Sequence, residues 1–345
     1  MKKLDLANNK FTGFISQNLT YLDSLSTLNL QYNQFRGQVP EFTGLIKLEY
    51  IYLDYYDFTG TLPNLGRDLV GQVEFTISHN CISGGFPGME SINASEFFEK
   101  NHKTQRVDFS FNQMTGTIPE LIALIPTIRY VDISSNRITG FLPAQSETGA
   151  WKSLEYFGAA YNQLTGTVPV GFSDTLTFLD ISNNFFTGGV PLALYSKFPF
   201  LEYLRLSNNN LGGHLSGLIG QMGALQELSM SNCSLSGFLP NSLRDISSLA
   251  YVTLNNNFIE GSIPSSIGLL THLIELELEN NKLTGTLPSE LGSLSQLKVL
   301  NVANNSLMGT LPSILLSLGV LAEFNFSGNS FTGEFPMELC DYLDF

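Results

Sequence analysis

The sequence predicts an α/β fold of one particular kind, a solenoid wound from about 14 copies of a short unit, with a parallel sheet along one face. Three observations predict it. The segment NNKLTGTLPS, starting at Asn280, returns as NNSLMGTLPS at Asn304, 24 residues later. Leucines recur at fixed spacing ahead of an asparagine, as in Leu273, Leu276, Leu278, Asn281 and Leu283. A glycine and a proline then follow that asparagine at constant offsets.

The asparagine serves as the anchor of each unit. The anchors are Asn9, Asn33, Tyr56, Asn80, Asn112, Asn136, Asn162, Asn184, Asn209, Cys233, Asn257, Asn281, Asn305 and Asn329. Glycine stands four residues after the anchor in all 14 units, from Gly13 to Gly333. Proline stands seven after it in 12, with Ser16 and Ser216 as the exceptions. Each offset has a physical reason. Apolar residues two apart, such as Leu276 and Leu278, suit a short strand with one buried face. One strand cannot cover that face alone, so neighbouring units must stack into a continuous core. The anchor follows the strand, where the chain turns and backbone groups lose their sheet partners. A side-chain amide both donates and accepts there, so stacked anchors predict a ladder. Cys233 is a weaker substitute, and Tyr56 interrupts the ladder at the third unit. The glycine suits a positive-φ backbone, and the proline, lacking an N–H, ends the local hydrogen bonding.

The pattern L-x-x-L-x-L-x-x-N-x-L, with its added x-T-G-x-I/L/V-P half, resembles the leucine-rich repeat of the plant type. That type is found in receptor kinases, receptor-like proteins and polygalacturonase inhibitors, and the resemblance runs from about Leu4 to Pro336. It implies a right-handed solenoid in a single array (residues 1–345), with the parallel sheet concave and 3-10 turns, short helices and loops on the convex side. It also implies a non-enzymatic recognition module at the extracellular side of the plasma membrane or secreted. Its partners would be a protein, peptide or glycan ligand and a co-receptor.

Spacing departs from the period where the array is modified. Asn80 and Asn112 stand 32 apart, and the excess falls in the polar stretch 88–105, expected as a surface excursion. The chain begins inside a repeat and ends on MELCDYLDF without a polar cap, so the sequence reads as part of a longer product. Any membrane anchor or kinase would then lie outside it.

Composition narrows the function. A net charge of −14 argues against nucleic acid, which calls for clustered Lys and Arg. Three cysteines (Cys81, Cys233, Cys340) give neither a disulfide framework nor a zinc spacing. The start MKKLDLANNK has no apolar run behind its lysines and does not read as a signal peptide. No GxGxxG loop, P-loop, HExxH or GxSxG occurs, and His79, His102, His214 and His272 fall in separate units. Neither a cofactor nor a metal is expected, and no catalytic residue is assigned.

Strand alternation puts residues two, four and six before each anchor on the concave face. There the sequence gathers Asp108, Tyr130, Asp132, Tyr156, Phe178, Asp180, Tyr203 and Arg205 around Gly158 and Ala160, whose missing side chains predict a hollow. Rings would stack on a ligand, aspartates would orient its polar or basic groups, and Arg205 would take a carboxylate. Tyrosine also favours strands for its own sake, which leaves a purely structural reading open. Glu275, Glu277 and Glu279 form a second, acidic group on one strand. Five N-x-S/T sequons, at Asn18, Asn93, Asn232, Asn304 and Asn325, are candidate glycosylation sites. Two rival functions remain. A secreted inhibitor would ordinarily carry paired cap cysteines, absent here. An ice-binding or structural solenoid is suggested by repeated TGT, but those triplets are interrupted and unevenly spaced.

Overall fold

A computed structural model describes residues 1–42, 44–64, 71–87, 103–143, 151–313, 315 and 318–334. The chain forms two compact units, Met1–Leu176 and Thr177–Phe345. The first carries seven parallel strands in sequence order: Lys3–Asp5, Thr27–Asn29, Tyr50–Tyr52, Glu74–Thr76, Arg106–Asp108, Tyr130–Asp132 and Tyr156–Gly158. The second also carries seven: Phe178–Asp180, Tyr203–Arg205, Glu227–Ser229, Tyr251–Thr253, Glu275–Glu277, Val299–Asn301 and Glu323–Asn325. Register follows the repeat, so equivalent positions pair, as Tyr130 does with Arg106 and Tyr156. The middle residue enters the core in every strand but the first and last, where Leu4 and Phe324 are half-buried: Leu28, Ile51, Phe75, Phe157, Leu204 and Leu276 are fully buried. Each contributes roughly 1.5–3 kcal/mol of transfer free energy.

The anchors build the expected ladder. Asn112 donates through Nδ2 to the carbonyls of Ile77 (2.9 Å), Phe109 (3.2 Å) and Ser110 (3.0 Å), and its Oδ1 accepts from Ile82 N–H (3.0 Å). Cys233 occupies its slot with the thiol, which reaches the carbonyls of Leu206 (3.2 Å) and Ser231 (3.4 Å). Burial pushes that thiol up to about 11. Tyr56 keeps the backbone bond of the ladder, its N–H donating to His79 O at 3.2 Å, but has no side-chain amide to offer. Its buried ring instead packs against Phe58, with centroids 4.8 Å apart.

Two positive-φ positions turn the chain in every repeat. The glycine four past the anchor has φ between +75° and +102° in all 14. The residue immediately before the anchor is also left-handed throughout, and this second turn carries non-glycine residues in 13 of the 14, from Asn8 to Asn304.

Past the anchor the structure adds a second row of short parallel strands where only loops and helical turns were expected. Gln34–Gln38, Asp57–Gly60 and Cys81–Gly84 belong to it in the first unit, and Phe258–Gly261, Lys282–Gly285 and Ser306–Gly309 in the second. The physical reason is that the T-G-x segments stand one repeat apart in matching conformation, so their free amides find each other. The proline then opens a helical turn, as Pro240, Pro264 and Pro288 do for the 3-10 helices Asn241–Asp245, Ser265–Leu269 and Ser289–Ser293. At the two exceptions Ser16 and Ser216 cap the turn with their hydroxyls, accepting from Asn18 N–H and Leu218 N–H at 3.2 Å. Residues 88–102 of the expected excursion, with the sequon Asn93, and the terminal 335–345 lie outside the described residues.

Candidate functional site

The residues singled out on the concave face fall into two sets, one in each unit. In the first unit the strand Tyr130–Asp132 lies between Arg106–Asp108 and Tyr156–Gly158, which places their side chains in columns. The rings of Tyr130 and Tyr156 stack with centroids 4.1 Å apart and planes at 10°. The Arg106 guanidinium covers the other side of Tyr130, 3.6 Å from its centroid, and also pairs with Asp108 Oδ2 at 3.1 Å. A guanidinium–ring–ring sandwich of this kind holds flat, semi-rigid surfaces in place. Tyr156 Oη donates to Asp132 Oδ2 at a long 3.4 Å.

The two aspartates are held by their own strands. Asp108 Oδ1 accepts from Ser110 N–H (3.2 Å) and its hydroxyl (2.7 Å), and Asp132 Oδ1 accepts from Ser134 N–H (2.9 Å). Burial, then the nearby Asp108 charge, pushes Asp132 up to about 6, against the opposing pull of its Ser134 and Tyr156 bonds. Burial also raises Asp108, and burial followed by the two carboxylates pushes Tyr130 up to about 12.

Gly158 and Ala160 do not open a hollow of their own. Both are buried, and a Cβ built on Gly158 would stand 2.9 Å from Asp132 Oδ1 and 3.1 Å from Ser134 Oγ. The neighbouring repeat's carboxylate therefore leans into the space that the glycine leaves. A cleft of about 570 Å³ instead lies towards the N-terminal side of this face and takes in Asp108 at its edge.

In the second unit Phe178 pairs with Tyr203 and Asp180 with Arg205. The two rings lie 5.7 Å apart, tilted rather than stacked. Arg205 grips Glu227 with both arms, Nε to Oε1 at 2.7 Å and Nη2 to Oε2 at 2.6 Å, and stands 3.9 Å from Asp180 Oδ2. A ligand carboxylate would have to compete with Glu227 for this arginine. Asp180 is raised by burial, partly offset by its Ser182 bonds.

Sequence reasoning passed over Arg106 and Glu227 as members of these sets. Both stand six before an anchor, in the same column as Tyr130 and Tyr203, so register alone identifies them. The ring of His79 is stacked between Tyr55 and Phe111. The acidic strand presents Glu277, pushed up to about 7 by burial and then by Glu279 and Glu275. Among the described residues no group of His, Cys, Asp or Glu could hold a metal ion.

Comparison with known proteins places this geometry in context. The family model described as Leucine Rich Repeat matches residues 1–22, 24–45, 175–196, 200–222, 224–246, 272–294 and 296–318. Receptor-like protein 7 of Arabidopsis thaliana is 30% identical over 218 residues, covering 57% of this chain and 22% of the relative. Among solved structures, the ectodomain of the Arabidopsis receptor kinase HAESA with an extended IDA peptide hormone is 29% identical at a TM-score of 0.87, covering 99% of this chain and 56% of that one. The plant peptide hormone receptor RGFR1 in complex with RGF2 is 27% identical at 0.88, covering 96% and 52%. The chain thus spans about a fifth of that curated relative and about half of each solved ectodomain.

Proposed function

We propose, on the premise that this chain is a plant-type leucine-rich repeat protein resembling the ectodomains of receptor kinases and receptor-like proteins, that it is a non-enzymatic recognition module. Its ligand is a peptide, protein or glycan met on the concave face, on the extracellular side of the plasma membrane or in secreted form. The observation that carries this reading is the packed set Arg106, Tyr130, Tyr156, Asp108 and Asp132. Rings held rigid by stacking lie beside a carboxylate, Asp132, whose second oxygen accepts one long hydrogen bond among the described residues. Rigid aromatics with adjacent polar acceptors are what binding hot spots are made of. Solved ectodomains of similar fold with peptide hormones bound support a polypeptide ligand. Phe178, Asp180, Tyr203 and Arg205 form the corresponding set of the second unit, with Glu227 as the arginine's resident partner.

The test is to probe arrays of synthetic peptides and cell-wall oligosaccharides with the purified chain, then repeat any hit with Tyr156→Ala and Asp132→Asn. The expected result is a loss of about tenfold or more in affinity for each variant. Unchanged affinity in both would place recognition elsewhere.

A further inference from the structure

The position immediately before the anchor is left-handed in every repeat, which makes the array its own control. In the second unit this column is Asn183, Asn208, Asn232, Asn256, Asn280 and Asn304, all with φ between +52° and +57°, and last Gly328 at +67°. Asparagine is the non-glycine residue that adopts this conformation most readily. The amides also link along the column, Asn232 to Asn208 at 3.1 Å and Asn304 to Asn280 at 3.0 Å. In the first unit four successive repeats instead place Tyr32, Tyr55, His79 and Phe111 on the same strained backbone, with φ between +53° and +66°.

These four rings stack face to face, with centroids 4.5, 4.2 and 4.2 Å apart, and Tyr32, Tyr55 and Phe111 remain 43–51% exposed. The outcome is a continuous apolar ridge bought with neither core burial nor easy backbone. Cavities flank it on both sides, and Tyr55 lines both. One is the 570 Å³ cleft, which also holds Tyr52, Asp54, Glu74, Arg106 and Asp108. The other is a recess of about 320 Å³ against Asn33, Gln34, Asp57 and His79. Tyr56 lines that recess, 93% buried by its 7% exposure, and its hydroxyl finds no hydrogen-bond partner among the described residues.

The hydrogen-bonding inventory of the cleft specifies a cation. Asp54 is saturated by Ser78 N–H and Oγ, Thr76 Oγ1 and Gln31 Nε2. Arg106 is spent on Asp108 and on the Tyr130 ring. Glu74 accepts from Tyr52 Oη at 2.9 Å through one oxygen, and its other oxygen has no hydrogen bond among the described residues. Three carboxylates face one guanidinium, so the cleft holds a surplus of acceptors and of negative charge, in a chain of net charge −14.

We propose that this flank of the first unit is a second recognition surface, for a basic extended polypeptide segment. An Arg or Lys head enters the cleft towards Glu74 and Asp108. Its aliphatic stem and an apolar neighbour lie along the ridge from Tyr55 to Phe111, as long cationic side chains do on apolar surface. Tyr56 Oη meets a polar group of the same segment in the recess. This rests on the reading of the chain as a binder of polypeptides, and it extends recognition beyond the Tyr130–Tyr156 set, which the cleft adjoins through Arg106 and Asp108.

The experiment titrates the full chain with the capped tripeptide Arg-Leu-Arg and with its Gln-Leu-Gln and Glu-Leu-Glu counterparts by calorimetry across a salt series. Two variants accompany it: Glu74→Gln, and Tyr55→Asn, which installs the residue that the second unit tolerates at this backbone. Emission of the single tryptophan, Trp151, buried in the same unit, verifies folding. The expected result is binding of the arginine peptide that weakens with salt, with each variant and the glutamine peptide about tenfold weaker. Equal binding of arginine and glutamine peptides overturns the proposal. So does an affinity unmoved by both variants but lost in Tyr156→Ala, which would leave the concave-face reading standing. Failure of the tripeptides overturns this proposal, and failure of every arrayed peptide and oligosaccharide as well would bring down both readings.

Discussion

Asn281 shows at one residue how the array is held together. Its Nδ2 donates to the carbonyls of Leu254 (3.0 Å), Leu278 (3.1 Å) and Glu279 (3.4 Å), while Oδ1 accepts from Ile259 N–H (2.9 Å). Asn281→Ala strands these groups and is expected to cost about 1–3 kcal/mol, measurable by denaturant titration. A value near zero would mean that water replaces the amide. Gly158 makes the complementary case for space. Because Asp132 Oδ1 would stand 2.9 Å from its Cβ, Gly158→Ala must displace a carboxylate already bonded to Ser134. We expect a loss of about 1–3 kcal/mol, followed through Trp151 emission. The anchors and columns were legible in the sequence because each obeys a fixed offset. The closing of Gly158 was not, since it depends on the rotamer of a residue one repeat away. The Tyr32–Phe111 ridge was legible in principle, because listing the residue before each anchor reveals it. That position was passed over because strand alternation does not assign it to a face.

At the scale of elements, the strands and their register follow from the apolar spacing, and the central strand residue enters the core in 12 of the 14 strands, Leu4 and Phe324 of the two outermost being half-buried. The second row of strands was not legible. Each carries a single buried apolar residue, such as Phe58, Ile82 or Leu283, beside polar residues and a glycine, too little for an alternating strand pattern, and they pair because stacking brings equivalent segments together. The proline offset predicted a stop and instead marks the start of a helical turn. Ser216 makes this testable, since its hydroxyl caps the 3-10 helix Gly217–Gln221 in place of the proline. Ser216→Ala should destabilise this turn by about 1 kcal/mol, read as faster amide exchange at Leu218 and its neighbours. Exchange unchanged from the parent chain would show that packing alone holds the turn.

For the whole molecule, burial of carboxylates sets an unusual pH dependence. Asp132 rises from an ordinary 3.8 to about 6, and Glu277 from 4.5 to about 7. A raised carboxyl pKa means that the folded chain binds the proton more tightly than the unfolded one. Its contribution is fully present below about 4 and is lost as pH climbs through 6 to 7. Asp5, at the surface beside Lys3, is shifted the other way. The expected outcome is a higher thermal midpoint near pH 5 than near pH 8, with the difference reduced in Asp132→Asn and in Glu277→Gln. A midpoint that falls on acidification would show that these two groups do not dominate the balance.

The claim that the stacked face of the first unit is where ligand is met can be tested by hydroxyl-radical footprinting. A ligand captured from the arrays is added, and oxidation is compared at Tyr130, Tyr156 and the remote Tyr21, which is 81% exposed. The account predicts that labelling falls at Tyr130 and Tyr156 and stays constant at Tyr21. Protection of Tyr21 with unaltered labelling of the stacked pair would contradict it.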